Sequence, residues 1–275
     1  MQKSILEHTK EKEERMKTML TIDLIENRIN HFWGYGNLQS DIWFVGMEEG
    51  FHGSLEDLNN RFQKTKNKNV IDIKDDMIGV KDHIKWFNNN SNLQKTWHKL
   101  IFILLTLRSK ENTAIDDLKH FQRNEFARLN SDHCSLEFMP LPSKSVNPRD
   151  WMYKQFGVDY LKNRKEYTKK IMPLRISLFK KIISQYKPKI IIFYSLSYLD
   201  KWKEIIGKSS IIHSKEIYYS KNNESVANAS AASEIPPGNT NEGIFAHAGS
   251  LKIVVAVSLP IFGTPNPYIA FRPPL

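Results

Sequence analysis

A short apolar run that ends in an acidic turn between two glycines constrains the fold most. Residues 41–46 are predicted to form a buried strand, because they are almost all apolar and are followed by a turn. Gly46 and Gly50 enclose that turn, which carries Glu48 and Glu49. Carboxylates are costly to bury, and ligands of open α/β sheets bind beyond the carboxyl ends of the strands. The turn is therefore a candidate for chemistry, and an acidic surface loop is the alternative.

The charge and cysteine content narrow the classes of function. The 275 residues include 40 Lys and Arg against 30 Asp and Glu, which gives a formal net charge of +10. This excess favours a polyanionic partner, with nucleic acid ahead of an anionic membrane surface. Cys134 is the only cysteine, so an internal disulfide, a multi-thiolate zinc site and an iron–sulfur cluster are excluded. A cytoplasmic protein is expected, because the N-terminus lacks a signal-peptide core and no apolar run could cross a bilayer.

Strand-like and helix-like segments alternate along the chain. Apolar, β-branched strands that alternate with helices are typical of a parallel sheet covered on both faces. The predicted fold is therefore a three-layer α/β/α sandwich with a four-stranded, mainly parallel sheet. The predicted strands are 41–46, 134–139, 190–194 and 251–257, and the predicted helices are 1–32, 54–62 with Ser54 as its N-cap, 93–108, 160–186 and 197–206.

One domain is expected to span residues 1–275. Its N-terminal helical extension covers residues 1–32, and a loop insertion rich in Asn, Ser, Ala and Pro covers residues 221–243. The Trp-Gly-Tyr-Gly segment at 33–36 is predicted to be a break, and the polar stretch 63–92 carries no predicted element.

The order of these elements and their motifs resembles the uracil-DNA glycosylase superfamily. Gly46–Gly50 stands where that family has its first motif, a glycine turn with the residue that activates water. Met172-Pro173-Leu174 and the Tyr186–Ile192 segment are similar to the helix and the third strand of the family. The resemblance covers most of residues 40–260.

The resemblance implies a DNA glycosylase that needs no metal and no cofactor. Such an enzyme hydrolyses the bond between base and sugar and leaves an abasic site. A carboxylate can stabilise the oxocarbenium-like sugar and orient or deprotonate the attacking water. Glu48 is predicted for this role, because it stands third in the turn, where many family members have Asp or Asn. Glu49 is the rival, and either side chain could instead cap the following helix.

The resemblance also assigns residues to a flipped base, which is bound in a pocket and read on its Watson–Crick edge. Gly46 and Phe51 are predicted to lie against the base, with a core position as the alternative for Phe51. Glu137 stands near the family's Asn that reads uracil. A carboxylate accepts a hydrogen bond from the amino group of cytosine, so a cytosine-like base, modified cytosine included, is predicted. In the alternative, Glu137 points outward and pairs with a basic side chain.

A basic segment favours DNA, duplex or single-stranded, as the partner. Ten Lys and Arg between residues 160 and 189 stand against Glu166 alone, and such groups bind phosphates without reading sequence. The alternative for this segment is a solvated helix face. For Ser143 and Lys144, in the loop after the second strand, the alternative is a plain turn. The predicted DNA-binding residues are Ser143, Lys144, Lys162, Arg164, Lys165 and Lys169.

One family motif is missing. The family's last strand leads into a His-Pro-Ser-type loop whose histidine stabilises the departing base, whereas residues 258–263 read Ser-Leu-Pro-Ile-Phe-Gly. His247 precedes the last predicted strand and is therefore expected at the wrong end of the sheet. Ordinary uracil excision is thus disfavoured, and a role in defence against foreign or phage DNA is a biological hypothesis. A non-catalytic nucleic-acid-binding protein on the same fold and an unrelated flavodoxin-like regulator are the alternatives.

Overall fold

The computed structural model describes residues 19–80, 83–108, 113–195 and 198–206, together with the backbone of two strands at 211–220 and 248–257. The fold is mixed α/β. In the described part, no helix combines the length and the apolar content that crossing a bilayer requires. Its elements are α1 (Ile22–His31), β1 (Gly34–Gly36), β2 (Ile42–Gly46), α2 (Leu55–Lys64), β3 (Val70–Ile71), α3 (Ile73–Met77), α4 (Trp97–Leu107), α5 (Ile115–Asn124), β4 (His133–Glu137), α6 (Arg164–Tyr186), β5 (Ile190–Phe193), α7 (Leu199–Ile206), β6 (Ile211–Ser220) and β7 (Ala248–Val257), with short 3-10 turns at Ile84–Phe87, Pro148–Asp150, Met152–Phe156 and Asp159–Leu161.

The strands form one sheet in the order β3-β1-β4-β2-β5-β7-β6. The central strands β4, β2 and β5 are parallel, as predicted, and β3 is parallel to β1. The pairs β1–β4, β5–β7 and β7–β6 are antiparallel. The prediction of four strands is therefore wrong in number, because β1, β3 and β6 were not recognised.

Strand β1 forms from the Gly-Tyr-Gly segment that was predicted to be a break. Gly34 has a φ of +151°, and a Cβ atom at this position would lie 2.3 Å from the carbonyl oxygen of Ser135 on β4. Gly36 approaches β4 in a similar way, with a φ of +96°. Only glycine permits this close approach at these backbone angles, and it places Tyr35 in the sheet beside β4.

Helices cover both faces of the sheet. Trp43 and Val45 on β2 pack with apolar residues of α1, α2, α6 and α7, whereas Phe44 packs on the opposite face with those of α3, α4 and α5. Successive side chains of a strand point to opposite faces, so β2 is buried on both sides, as its continuous apolar run predicts.

The helix that follows the acidic turn begins at a capping box, which confirms Ser54 as its N-cap. The Ser54 hydroxyl accepts a hydrogen bond from the backbone N–H of Asp57 at 3.1 Å. The Asp57 carboxylate in turn accepts one from the backbone N–H of Ser54 at 2.8 Å. Because Ser54 caps α2, neither acid of the preceding turn is needed for that purpose.

The direction of β7 corrects one expectation about the site. Val257 pairs with Ile190, and Val254 pairs with Phe193, so β7 is antiparallel to β5 and begins beyond the carboxyl end of β5. His247 was expected at the wrong end of the sheet because the strand that follows it was assumed to be parallel to the others. That assumption is wrong. The predictions for residues 1–18, the insertion 221–243, His247 and residues 258–263 lie outside the described residues.

Candidate functional site

The carboxyl ends of the parallel central strands bring three acids to one edge of the sheet. Strand β2 ends at Gly46 and leads into the turn that carries Glu48 and Glu49. Gly46 pairs in register with Glu137, the last residue of β4, and Tyr194 follows the end of β5. This is the edge where ligands of parallel α/β sheets bind, so the predicted acids lie where chemistry was expected.

The chain segments that follow β2 and β4 continue side by side beyond the strands. The backbone N–H of Ser143 donates to the carbonyl of Glu49 at 3.0 Å, and that of Phe51 donates to the carbonyl of Ser143 at 3.0 Å. The Ser143 side chain is buried and its hydroxyl donates to the carbonyl of Ser145 at 2.9 Å. Ser143 therefore joins the two loops. Of the two residues in this loop that were predicted to bind a phosphate, Lys144 is the exposed one.

Glu48 is largely buried and forms an ion pair with Arg164, the first residue of α6. The exposed fractions of the two side chains are 11% and 13%. Burial raises the pKa of Glu48, and the hydrogen bond and charge of Arg164 oppose that rise. A carboxylate with a raised pKa is a stronger base than an exposed one, which suits a group that takes a proton from water.

Glu49 belongs to a buried network that the sequence analysis did not find. Its Oε2 atom accepts hydrogen bonds from Arg61 Nη2 at 2.7 Å and from Tyr35 Oη at 2.9 Å, and Arg28 Nη2 lies 3.9 Å away. The Tyr35 hydroxyl also lies 2.8 Å from Asp76 Oδ2, which accepts a hydrogen bond from Arg61 Nε at 3.1 Å. Two arginines and two carboxylates thus balance their charges inside the protein.

This network fixes Glu49 in place. The side chains of Arg61 and Asp76 have no exposed surface, so each needs the charge of the other. Burial alone would raise the pKa of Asp76, but the Arg61 guanidinium holds it below its usual value. Because Glu49 is bound from two sides by Arg61 and Tyr35, it stabilises this network and is a weaker candidate for water activation than Glu48.

Glu137 is a buried acid that forms no ion pair with any described residue. Only 7% of its surface is exposed, and its Oε2 atom has no hydrogen-bond partner among the described residues. Burial raises the pKa of Glu137 well above its usual value, and the charges of Glu49 and Glu48 raise it further, whereas Arg28 and Arg61 oppose the rise. A raised pKa favours the protonated form of this acid, which can donate as well as accept a hydrogen bond. Because the side chain is buried, the alternative that Glu137 points outward and pairs with a basic side chain is wrong.

Replacing Glu137 by Gln is expected to stabilise the protein at neutral pH. The folded protein keeps the Glu137 proton, whereas the unfolded chain loses it near the ordinary value of 4.5. The wild type therefore loses stability as the pH rises above that value, by up to about 1.4 kcal/mol per pH unit. Gln has the same shape and no proton to lose. Unfolding free energies in urea between about pH 5 and 8 should show a gap that widens with pH, and a constant gap would contradict a neutral Glu137.

Two residues assigned to the flipped base are enclosed by protein. Phe51 has no exposed surface, and its ring packs edge-on against His83 with ring centroids 6.1 Å apart. A Cβ atom at Gly46 would lie 2.2 Å from the Tyr194 hydroxyl oxygen. Phe51 is therefore a core residue, which was the alternative prediction. The Tyr194 phenol occupies the space over Gly46 that was assigned to a base.

The basic segment divides between surface and core. Lys162, Lys165 and Lys169 are exposed, as a DNA-binding face requires. Arg175 is instead buried, and its guanidinium donates to the carbonyls of Phe138 and Glu137 at 2.7 Å each. A groove of about 450 Å³ lies along α6 and α7, and none of the three acids lines it; its lining includes Lys169, Met172, Pro173, Ile176, Lys180 and Lys201.

Comparisons of the chain with protein-family models, curated proteins and solved structures find no match. The resemblance to the uracil-DNA glycosylase superfamily therefore stays a hypothesis. Within the described ranges, no group of three or more His, Cys, Asp or Glu side chains is arranged to hold a metal ion.

Proposed function

We propose that this protein is a DNA glycosylase that removes a cytosine-like base, modified cytosine included, and leaves an abasic site. Its fold would be a three-layer α/β/α sandwich like that of the uracil-DNA glycosylase superfamily. The observation that carries the proposal is that two largely buried acids, Glu48 after β2 and Glu137 at the end of the adjacent β4, lie at one edge of the sheet, where burial raises both pKa values. Two carboxyl groups in different protonation states are what hydrolysis of a glycosidic bond uses.

In this mechanism Glu137 acts on the base. Its neutral carboxyl group pairs with the Watson–Crick edge of a pyrimidine by one donated and one accepted hydrogen bond. Either cytosine or uracil can make such a pair, but only N3 of cytosine carries a lone pair that can take the Glu137 proton. Protonation at N3 lets the bond between C1′ and N1 break with its electrons on the base, which then leaves uncharged. This step supplies a role that the family gives to the missing histidine loop.

Glu48 acts on the sugar and the water. Its negative charge stabilises the sugar cation that forms as the base departs, and its carboxylate takes a proton from the water that adds to C1′. The exposed lysines at the start of α6, among them Lys162, Lys165 and Lys169, would hold the DNA backbone beside this edge. The positive net charge of the chain supports the same partner.

Base release from defined oligonucleotides tests the proposal. Single-stranded and duplex DNA that carries cytosine, methylated cytosine, glucosylated cytosine or uracil is incubated with the protein. Alkali-sensitive strand cleavage reports abasic sites, and mass spectrometry identifies the released base. We expect release from at least one cytosine derivative and little or none from uracil DNA. Release of uracil alone would contradict the role of Glu137, and no release from any substrate would contradict the enzyme.

A non-catalytic nucleic-acid-binding protein on the same fold is the second candidate. It is favoured by the enclosed positions of Phe51 and Gly46, since the spaces that a flipped base would need there are filled by protein. Salt-dependent DNA binding without base release in the same experiment would support this candidate.

A further inference from the structure

The ion pair between Glu48 and Arg164 occupies the carboxylate that is proposed to act on water. Arg164 binds the carboxylate directly, and this lowers the basicity that burial alone would give it. A carboxylate whose lone pairs are occupied by a guanidinium is poorly placed to take a proton from water. The pair therefore has to open, or to loosen, before Glu48 can act.

Among the described residues, Arg164 makes one other side-chain hydrogen bond that would keep it at Glu48. Its Nη1 atom donates to the carbonyl of Ser145 at 3.5 Å, which is a long hydrogen bond. The side chains of Arg164 and Glu48 both retain a small exposed surface, so a ligand from solvent can reach the guanidinium. A neutral ligand would not replace a carboxylate, but an anion of the same shape would.

A phosphate diester is the anion that fits this position. The planar guanidinium binds phosphate and carboxylate with the same two-pronged geometry. Arg164 lies next to the exposed Lys162 and Lys165, with Lys169 one turn further along α6. These lysines would bring a DNA backbone to the guanidinium, where its phosphates compete with Glu48.

We propose that Arg164 exchanges Glu48 for a DNA phosphate when nucleic acid binds, and that this exchange releases the Glu48 carboxylate to act on water. The inference rests on the proposed function and makes Arg164 a positioning residue. Without DNA the carboxylate remains paired, so water activation is restricted to the complex.

The exchange couples DNA binding to proton uptake. After Arg164 leaves, the titratable groups that interact electrostatically with Glu48 are Tyr167 of α6 and Glu137 of β4, and burial raises the pKa of both. Glu49 in its own turn remains paired with Arg61. Arg164 is the only cation paired with Glu48 among the described residues, so without it the buried Glu48 binds a proton more readily than in the free protein. DNA affinity should therefore increase as the pH falls, by up to about tenfold per pH unit for one proton.

Binding to an uncleavable duplex with an abasic-site analogue, measured between about pH 5.5 and 8 at fixed salt, tests the exchange. We expect the wild type to bind more tightly as the pH falls. Glu48→Gln should bind at least as tightly as the wild type at neutral pH, with a smaller pH dependence. Arg164→Gln should bind more weakly, also with a smaller pH dependence, and thermal melting verifies that it is folded. The control Lys165→Gln removes one charge from the same helix and should weaken binding while keeping the wild-type pH dependence.

The outcomes separate this inference from the proposed function. Equal pH dependence in the wild type and Glu48→Gln overturns the exchange, even if the protein releases a base. A pH dependence that Glu48→Gln and Arg164→Gln both lose supports the exchange, even if no base is released. The absence of DNA binding overturns both. In an active enzyme, the acid limb of kcat should also lie at higher pH than that of kcat/KM, because kcat reports the complex.

Discussion

Replacing Glu48 by Gln is expected to slow base release by about 10²–10⁴-fold without weakening DNA binding. General-base catalysis contributes a rate factor of about this size. Gln has nearly the shape of Glu and can still orient a water, but it cannot take its proton. The loss should therefore appear in the single-turnover rate of base release on whichever DNA the wild type cleaves.

Two further variants make this result specific. Glu56 is exposed in the first turn of α2, so Glu56→Gln removes an equal charge away from the three acids and should leave the rate unchanged. Glu49→Gln removes an acid of the same turn that is bound by Arg61 and Tyr35, and it should lower stability more than it lowers the rate per folded molecule. If Glu48→Gln is fully active, the catalytic role of Glu48 is wrong.

Replacing Asp76 by Ala is expected to destabilise the protein by about 3–5 kcal/mol, the usual cost of removing one partner of a buried ion pair. The change leaves the fully buried Arg61 guanidinium with one carboxylate fewer, and the Tyr35 hydroxyl loses one of its two acidic neighbours. Urea unfolding at neutral pH measures the effect.

The adjacent residue provides the control for this variant. Asp75 lies on the same short helix, α3, and is exposed. Asp75→Ala should therefore change stability by less than about 1 kcal/mol, which is what an exposed charge in the first turn of a helix contributes. If the two substitutions cost the same, the network around Arg61 does not stabilise the fold through its charges.

Local patterns in the sequence predicted the part of the fold that positions the site. The apolar runs predicted β2, β4 and β5, and the acid turn that carries Glu48 and Glu49 follows the carboxyl end of β2 as expected. These features depend on a few neighbouring residues and on a general property of parallel sheets. The missed strands β1, β3 and β6 form because distant segments pair with them. The missed helices α3 and α5 pack on the sheet face that carries Phe44.

The buried network left a signal in the sequence that was not recognised. Arg28 falls on the apolar stripe of α1 together with Leu24 and Ile25, and Arg61 falls on that of α2 beside Leu58. A charged residue on the apolar face of an amphipathic helix indicates a buried partner. The identity of that partner, the burial of Glu137 and the direction of β7 depend on tertiary packing, and no local pattern contains them.

The Tyr194 phenol over Gly46 links two positions that lie far apart in the chain. A methyl group on the first would collide with the hydroxyl of the second, so neither can diverge during evolution without regard to the other. If a related sequence replaces Tyr194 by a smaller residue, position 46 can carry a side chain. The space beside the acids then has a different shape. Substitutions at the end of β5 could thus change which molecules fit beside β2.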